Sequence, residues 1–100
     1  MIIELNEENF NKETNTGLKL VDFYTPWCGY CIKQAPILEE LSNNGFWIGK
    51  LDCDKHPKIA QEYDITGFPS FILFKNGKIA GKFPGFHTKS QLLSKLTAAL

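Results

Sequence analysis

Leu18-Lys19-Leu20-Val21-Asp22-Phe23-Tyr24-Thr25-Pro26-Trp27-Cys28-Gly29-Tyr30-Cys31 is where the fold is decided, because two different periodicities meet across one short turn. As far as Tyr24 the residues are nearly continuous in apolar character, the pattern of a parallel strand buried on both faces. Beyond the turn, Ile32 to Leu41 reads as a helix with Cys31, Ala35, Leu38 and Leu41 on one stripe. Pro36 is expected to kink that helix, and Asn43-Asn44-Gly45 to stop it. The Cys28-x-x-Cys31 pair therefore opens the helix, where residues at this spacing sit one above the other, close enough to bridge or to act in sequence on another molecule's disulfide. Unpaired backbone N–H groups and the positive end of the macrodipole favour an anion there, which makes Cys28 the expected nucleophile.

Working outward, Ile2 to Leu5 is predicted as a short strand, and Asn6 as the cap of a helix that ends near Gly17. Phe46 to Cys53 is a third strand, and Pro57 suits the first turn of a short helix holding Ile59, Ala60 and Tyr63. Gly67-Phe68-Pro69 interrupts it. Ser70 to Phe74, Asn76-Gly77, then Lys78 to Phe83 is a hairpin signature, because Asn-Gly supplies the positive φ angles of a type I′ turn. Thr88-x-x-Gln91 is a capping box opening a last helix with Leu92, Leu93, Leu96, Ala99 and Leu100 as its buried stripe. The order βαβαβαββα predicts an α/β layer sandwich with a mixed sheet.

One hundred residues suit a single domain over 1–100, and 43% hydrophobic with 13% aromatic residues suit a packed globule. Eleven basic and eleven acidic residues balance to zero net charge, so neither nucleic acid nor an anionic membrane is implied as a partner. The N-terminal Met1-Ile2-Ile3-Glu4-Leu5 lacks a positive region and a long apolar segment, and no stretch reaches the length of a membrane span. A soluble cytoplasmic protein, monomeric, is expected. Three cysteines suit a reducing compartment and a catalytic pair better than a secreted disulfide framework.

Other residues leave alternatives open. Asp22 inside the apolar run is either a solvated strand end or a buried carboxylate whose pKa desolvation raises. Cys53-x-x-His56 has ligand spacing and would complete a Cys₃His zinc set with Cys28 and Cys31. Against zinc, Cys53 ends an apolar strand as a small hydrophobe would, and His56 precedes Pro57 as a helix-capping residue would. Trp27, Tyr30 and Phe86 are either core residues or, exposed with Gly67 and Gly85, a flat apolar patch that receives other proteins. His87 reads as a plain loop residue.

The chain resembles the thioredoxin family over nearly its whole length. The resemblance is carried by Val21-Asp22-Phe23, Trp27-Cys28-Gly29-x-Cys31, Pro36, Lys50-Leu51-Asp52, Gly67-Phe68-Pro69-Ser70, Phe74-Lys75-Asn76-Gly77 and Gly85. It implies the thioredoxin fold, a three-layer sandwich with a five-stranded mixed sheet flanked by four helices. It also implies reduction of protein disulfides: Cys28 attacks, a mixed disulfide forms with the client protein, and Cys31 resolves it. The oxidised pair would be recharged from NADPH by thioredoxin reductase, with no cofactor or metal bound. By the same resemblance Asp22 takes the proton of Cys31 through water, and a cis Phe68-Pro69 peptide lays the Phe68 backbone beside the cysteines to pair with substrate. Read from the residues alone, Phe68-Pro69 is also consistent with an ordinary turn with a trans peptide, and Lys50 is either a plain surface lysine or the partner of Asp22. Two positions depart from the pattern: Tyr30 stands where the family usually has proline, and Ile32 where it often has lysine. Tyr30 restores a backbone N–H, a candidate donor to the Cys28 sulfur. Thr25-Pro26-Trp27-Cys28-Gly29 also looks like protein disulfide isomerase domains, so an isomerase-like enzyme and a non-enzymatic zinc-stabilised or protein-binding module stand as alternatives.

Overall fold

The computed structural model describes every residue from Met1 to Leu100. In chain order the elements are β1 (Ile2–Glu4), α1 (Phe10–Thr14), β2 (Leu18–Tyr24), α2 (Gly29–Asn43), β3 (Ile48–Asp52), α3 (Pro57–Glu62), β4 (Ser70–Lys75), β5 (Lys78–Pro84) and α4 (Lys89–Ala98). The five strands form one sheet in the order β1-β3-β2-β4-β5. β1 and β2 run parallel to β3, while β4 is antiparallel to both β2 and β5. This is the predicted mixed sheet with four helices.

Alternation along the central strand assigns its side chains to two cores. Val21 and Phe23 join Leu5, Phe10, Leu51, Ile59, Ile72 and Phe74 on the side of α1 and α3. Leu20 joins Leu38, Leu41, Ile48, Phe71, Leu73, Leu92 and Leu96 on the side of α2 and α4. Burial on both faces is why the run from Leu18 reads as nearly continuous apolar sequence, broken only by Lys19 and Asp22. The same alternation turns Asp22 toward α2, the helix that begins with the cysteines.

The helix ends follow local hydrogen bonding. Asn76 and Gly77 take φ of 53° and 82°, the left-handed pair that a type I′ turn requires. Thr88 and Gln91 close the capping box reciprocally, at 3.2 Å and 2.9 Å. Asn6 likewise caps the helical turn that leads into α1, as the sequence suggests. Its Oδ1 accepts the N–H groups of Glu8 and Asn9, each at 2.9 Å, while the Asn9 side chain accepts that of Asn6 at 2.7 Å. The exchange between Asn6 and Asn9 is reciprocal, as in a capping box, and the Phe10 N–H donates to the Asn6 carbonyl at 3.0 Å just ahead of the regular helix α1. His56 precedes α3 but offers it no side-chain bond, because its Nδ1 lies 2.6 Å from Glu7 Oε1. α2 continues as helix through Pro36. Leu100, expected on the buried stripe of the last helix, lies beyond its end and is 77% exposed.

Candidate active site

The turn after β2 makes Cys28 the N-cap of α2, with φ −80° and ψ 119°. Its Sγ accepts the N–H of Cys31 at 3.2 Å, as a serine hydroxyl does at an ordinary N-cap. N-cap geometry aims the side chain at the amide three residues on, so the donor to sulfur is Cys31 and not Tyr30 as the sequence suggested. Both cysteines are free thiols. The Phe68-Pro69 peptide is cis, and the Phe68 carbonyl accepts the Cys28 thiol at 3.5 Å. The Gly85 N–H donates to the Pro69 carbonyl at 2.8 Å, tying the next loop to this one.

The two sulfurs face different spaces. Cys28 lines an open groove of about 560 Å³ with Trp27, Gly29, Tyr30, Lys33 and Phe68. Cys31 instead faces a separate crevice of about 230 Å³, bordered by Tyr24, Thr25, Pro26, Ile32, Ala35 and Lys50. Around the groove Trp27 and Tyr30 are 69% and 61% exposed, Phe86 is 36% exposed, and Gly67 and Gly85 are exposed too. These aromatics are surface residues, the second of the two readings. Tyr30 and Phe86 pair with ring centroids 6.1 Å apart. Trp27 meets Phe68 edge-on at 6.3 Å, and its Nε1–H donates to Asp54 Oδ2 at 2.8 Å. The result is an apolar apron around one sulfur.

Behind the sulfurs, Asp22 is 1% exposed and neither of its oxygens has a hydrogen-bond partner. Burial pushes its pKa up to about 7; the positive charge of Lys50 works against that, and Glu4 adds to it. Burial and a hydrogen bond with Cys28 push the Cys31 thiol up to about 12, against a backbone hydrogen bond from Thr25. Of the two readings of Lys50, the ion pair with Asp22 is not made. The two are register partners across β2 and β3, but the Lys50 ammonium lies over the Tyr24 ring, 4.3 Å from its centroid. A lysine next to a dry interior keeps its head toward water and rests its charge on an aromatic face.

The zinc alternative does not assemble. Cys53 is buried in the core beside α1 and α3, 3.7 Å from the Leu51 carbonyl, and burial pushes its thiol up to about 12. His56 is engaged with Glu7, and no group of three or more His, Cys, Asp or Glu side chains converges anywhere in the chain.

Sequence reasoning missed two supports of the site. Gln34 has no exposed surface; its Nε2 donates to the His87 carbonyl and its Oε1 accepts the His87 N–H, both at 2.9 Å. A polar residue one turn after Cys31 on an apolar stripe was the available signal. His87 is accordingly more than a loop residue: its Nδ1 lies 2.7 Å from the Gly85 carbonyl and its ring packs against Phe71 and Phe83. Asp54, which orients Trp27, left no sequence signal.

One thiol at the edge of an apolar groove, a second behind it, and a buried carboxylate on the far side define a thiol–disulfide oxidoreductase on an α/β sandwich. The thioredoxin family model matches residues 1–98. The chain is 39% identical over 95 residues to a thioredoxin of Chlamydia caviae, covering 93% of each chain. It is 38% identical over 100 residues to a thioredoxin of Staphylococcus haemolyticus, covering 95% of this chain and 94% of that one. The chain belongs to the thioredoxin family.

Proposed function

We propose that this chain, a single domain over residues 1–100, works as a protein-disulfide reductase with Cys28 as attacking and Cys31 as resolving thiol. The observation that carries the assignment is the separation of the two sulfurs: Cys28 borders the client-accessible groove, and Cys31 borders the crevice behind it. The Cys28 thiolate attacks a client disulfide, whose electron pair leaves on the second client sulfur, and a mixed disulfide forms. Cys31 passes its proton to the Asp22 carboxylate and attacks Cys28 Sγ. The Cys28–Cys31 bond forms, and the remaining client sulfur departs with the electron pair and takes up a proton. A group with a pKa of about 7 is suited to that acceptor role, because it holds and releases a proton near working pH.

Client contact falls to Trp27, Gly29, Tyr30 and Phe86 around the groove, to the exposed Gly67 and Gly85, and to the loop of Phe68 and Pro69. When Cys28 is bonded to a client, the Phe68 carbonyl loses its thiol donor and becomes free to accept an N–H of an extended client segment. Lys50 acts on Asp22 through space. Electrons reach the oxidised pair from NADPH through thioredoxin reductase, with no cofactor held by the chain, and the protein works as a monomer in the cytoplasm. NADPH-dependent insulin reduction in the presence of a thioredoxin reductase is the test. Turnover that Cys28→Ser abolishes is expected; no turnover, together with efficient reshuffling of a scrambled substrate, would replace the reductase reading by the isomerase one.

A further inference from the structure

Of the 6 residues lining the groove in front of Cys28, Lys33 alone carries a permanent charge. The rest of the wall is Trp27, Gly29, Tyr30 and Phe68. Nothing in the fold neutralises that charge. Lys33 takes part in neither of the acid–base side-chain contacts of the molecule, His56 with Glu7 and Lys89 with Glu40. Its neighbours at helical spacing are Gly29, Tyr30, Pro36 and Ile37, none of them acidic. Asp54, the carboxylate beside Trp27, accepts the indole N–H at 2.8 Å and lies outside the groove lining.

An aromatic face holds the ammonium in place: Nζ stands 5.6 Å from the centroid of the exposed Tyr30 ring. Helical rotation decides which side of α2 the charge takes. Successive residues turn by about 100°, so Ile32 borders the crevice behind the site and Lys33 the groove in front of it. The lysine that family members often carry at the position of Ile32 would fall on the crevice side; here the charge is on the groove. We propose that Lys33 makes this protein select client disulfides with an aspartate or glutamate next to the cysteine that Cys28 attacks.

This rests on the reading of Cys28 as the attacking thiol, and it names the clients that thiol prefers. A client whose backbone lies extended along Phe68 advances about 3.3 Å per residue, so the side chains flanking its cysteine come within reach of the lysine's flexible four-carbon stem. A client carboxylate there meets an unpaired ammonium on an apolar wall, whereas a client lysine meets a like charge. The chain as a whole has zero net charge, so the selection operates at contact and not by steering from a distance. Lys33 exchanges no proton and no electron. The bonds formed and broken are those of the exchange at Cys28.

The test is the rate at which the reduced full-length protein reacts with synthetic peptides that hold one cysteine as a mixed disulfide to thiopyridine, with Glu, Gln or Lys beside it. Attack of Cys28 Sγ on the peptide sulfur forms the new disulfide and releases the thiopyridine with the electron pair of the broken bond, a step its absorbance reports. The Glu-to-Gln rate ratio should be about three to five times higher for the wild type than for Lys33→Gln, the size of one partly screened ion pair read as a double-mutant cycle. The Lys-to-Gln ratio should be lower by a similar factor. Lys33→Glu should reverse the order of the Glu and Lys peptides, and Lys33→Arg, which keeps the charge, should preserve it. Equal ratios in the wild type and Lys33→Gln, with release that depends on Cys28, overturn the selection and leave the reading of Cys28 standing. Loss of the preference in Lys33→Arg as well assigns it to packing on Tyr30 and overturns the role of the charge. Release that is absent from the wild type, or undiminished in Cys28→Ser, overturns the reading of Cys28 itself.

Discussion

The burial of Asp22 has a sign that titration can read. Its pKa is raised from 3.8 to about 7 in the folded protein, so the unfolded chain releases its proton first. Between those values the folded state binds more protons, and stability falls as pH rises. The neutral acid's full stability is present below about 4, and the penalty is complete above about 7. The size is about 4 kcal/mol, from roughly three pKa intervals of about 1.4 kcal/mol each. Asp22→Asn is therefore expected to raise the urea midpoint at pH 9 and to change little at pH 4. An unchanged midpoint at pH 9 would mean the carboxylate is hydrated. The cysteines make a second prediction at this scale. All three are less than 9% exposed, so exposure alone does not rank them, but burial pushes Cys31 and Cys53 up to about 12 and both keep their protons near neutral pH. Iodoacetamide on the reduced protein should modify Cys28 well before either, as peptide mapping would show; earlier modification of Cys53 would contradict the assignment.

Among the elements, α2 carries the site and Gln34 fastens it. This buried side chain bridges α2 to the segment from Gly85 to His87 with two part-buried bonds, so the ring of Phe86 faces that of Tyr30 at a fixed spacing. Gln34→Leu would leave the His87 N–H and carbonyl unmatched and is expected to cost about 2 to 4 kcal/mol in urea unfolding. It should also weaken client binding by loosening the loop. Phe86→Ala is expected to raise KM for insulin with little change in reaction with a small aromatic disulfide, which does not need the apron; equal loss on both substrates would place Phe86 in the chemistry. The elements themselves were legible where the signal was local: Asn76-Gly77 for the hairpin, Thr88-x-x-Gln91 for α4, and the apolar run for β2. Asn6 was legible in the same way, since it and Asn9 exchange cap bonds ahead of α1. A residue's contacts were not legible where a partner distant in sequence intervened. His56 has the position of a cap, but Glu7, distant in sequence, takes its ring nitrogen.

On the scale of the whole molecule, spacing located both cysteines, the apolar run around Asp22 pointed to a buried carboxylate, and the cis peptide was implied only by the family resemblance. What it could not supply were contacts between residues brought together only by the sheet and its loops. Lys50 is the register partner of Asp22, yet its ammonium settles on Tyr24. Gln34 meets His87, and Trp27 meets Asp54, across folds of the chain that no periodicity marks. Balanced charge, eleven of each sign, gives the molecule no long-range field, so the rate of insulin reduction should vary little with added salt. No helix is long and apolar enough to cross a membrane. The central claim is that the sulfur on the groove begins the exchange and the sulfur behind it completes it. Incubating Cys31→Ser with insulin and mapping the disulfide-linked peptides by mass spectrometry tests it most directly. A stable mixed disulfide through Cys28 is expected, absent when Cys28 is also replaced; a link through Cys53, or no adduct at all, would contradict it.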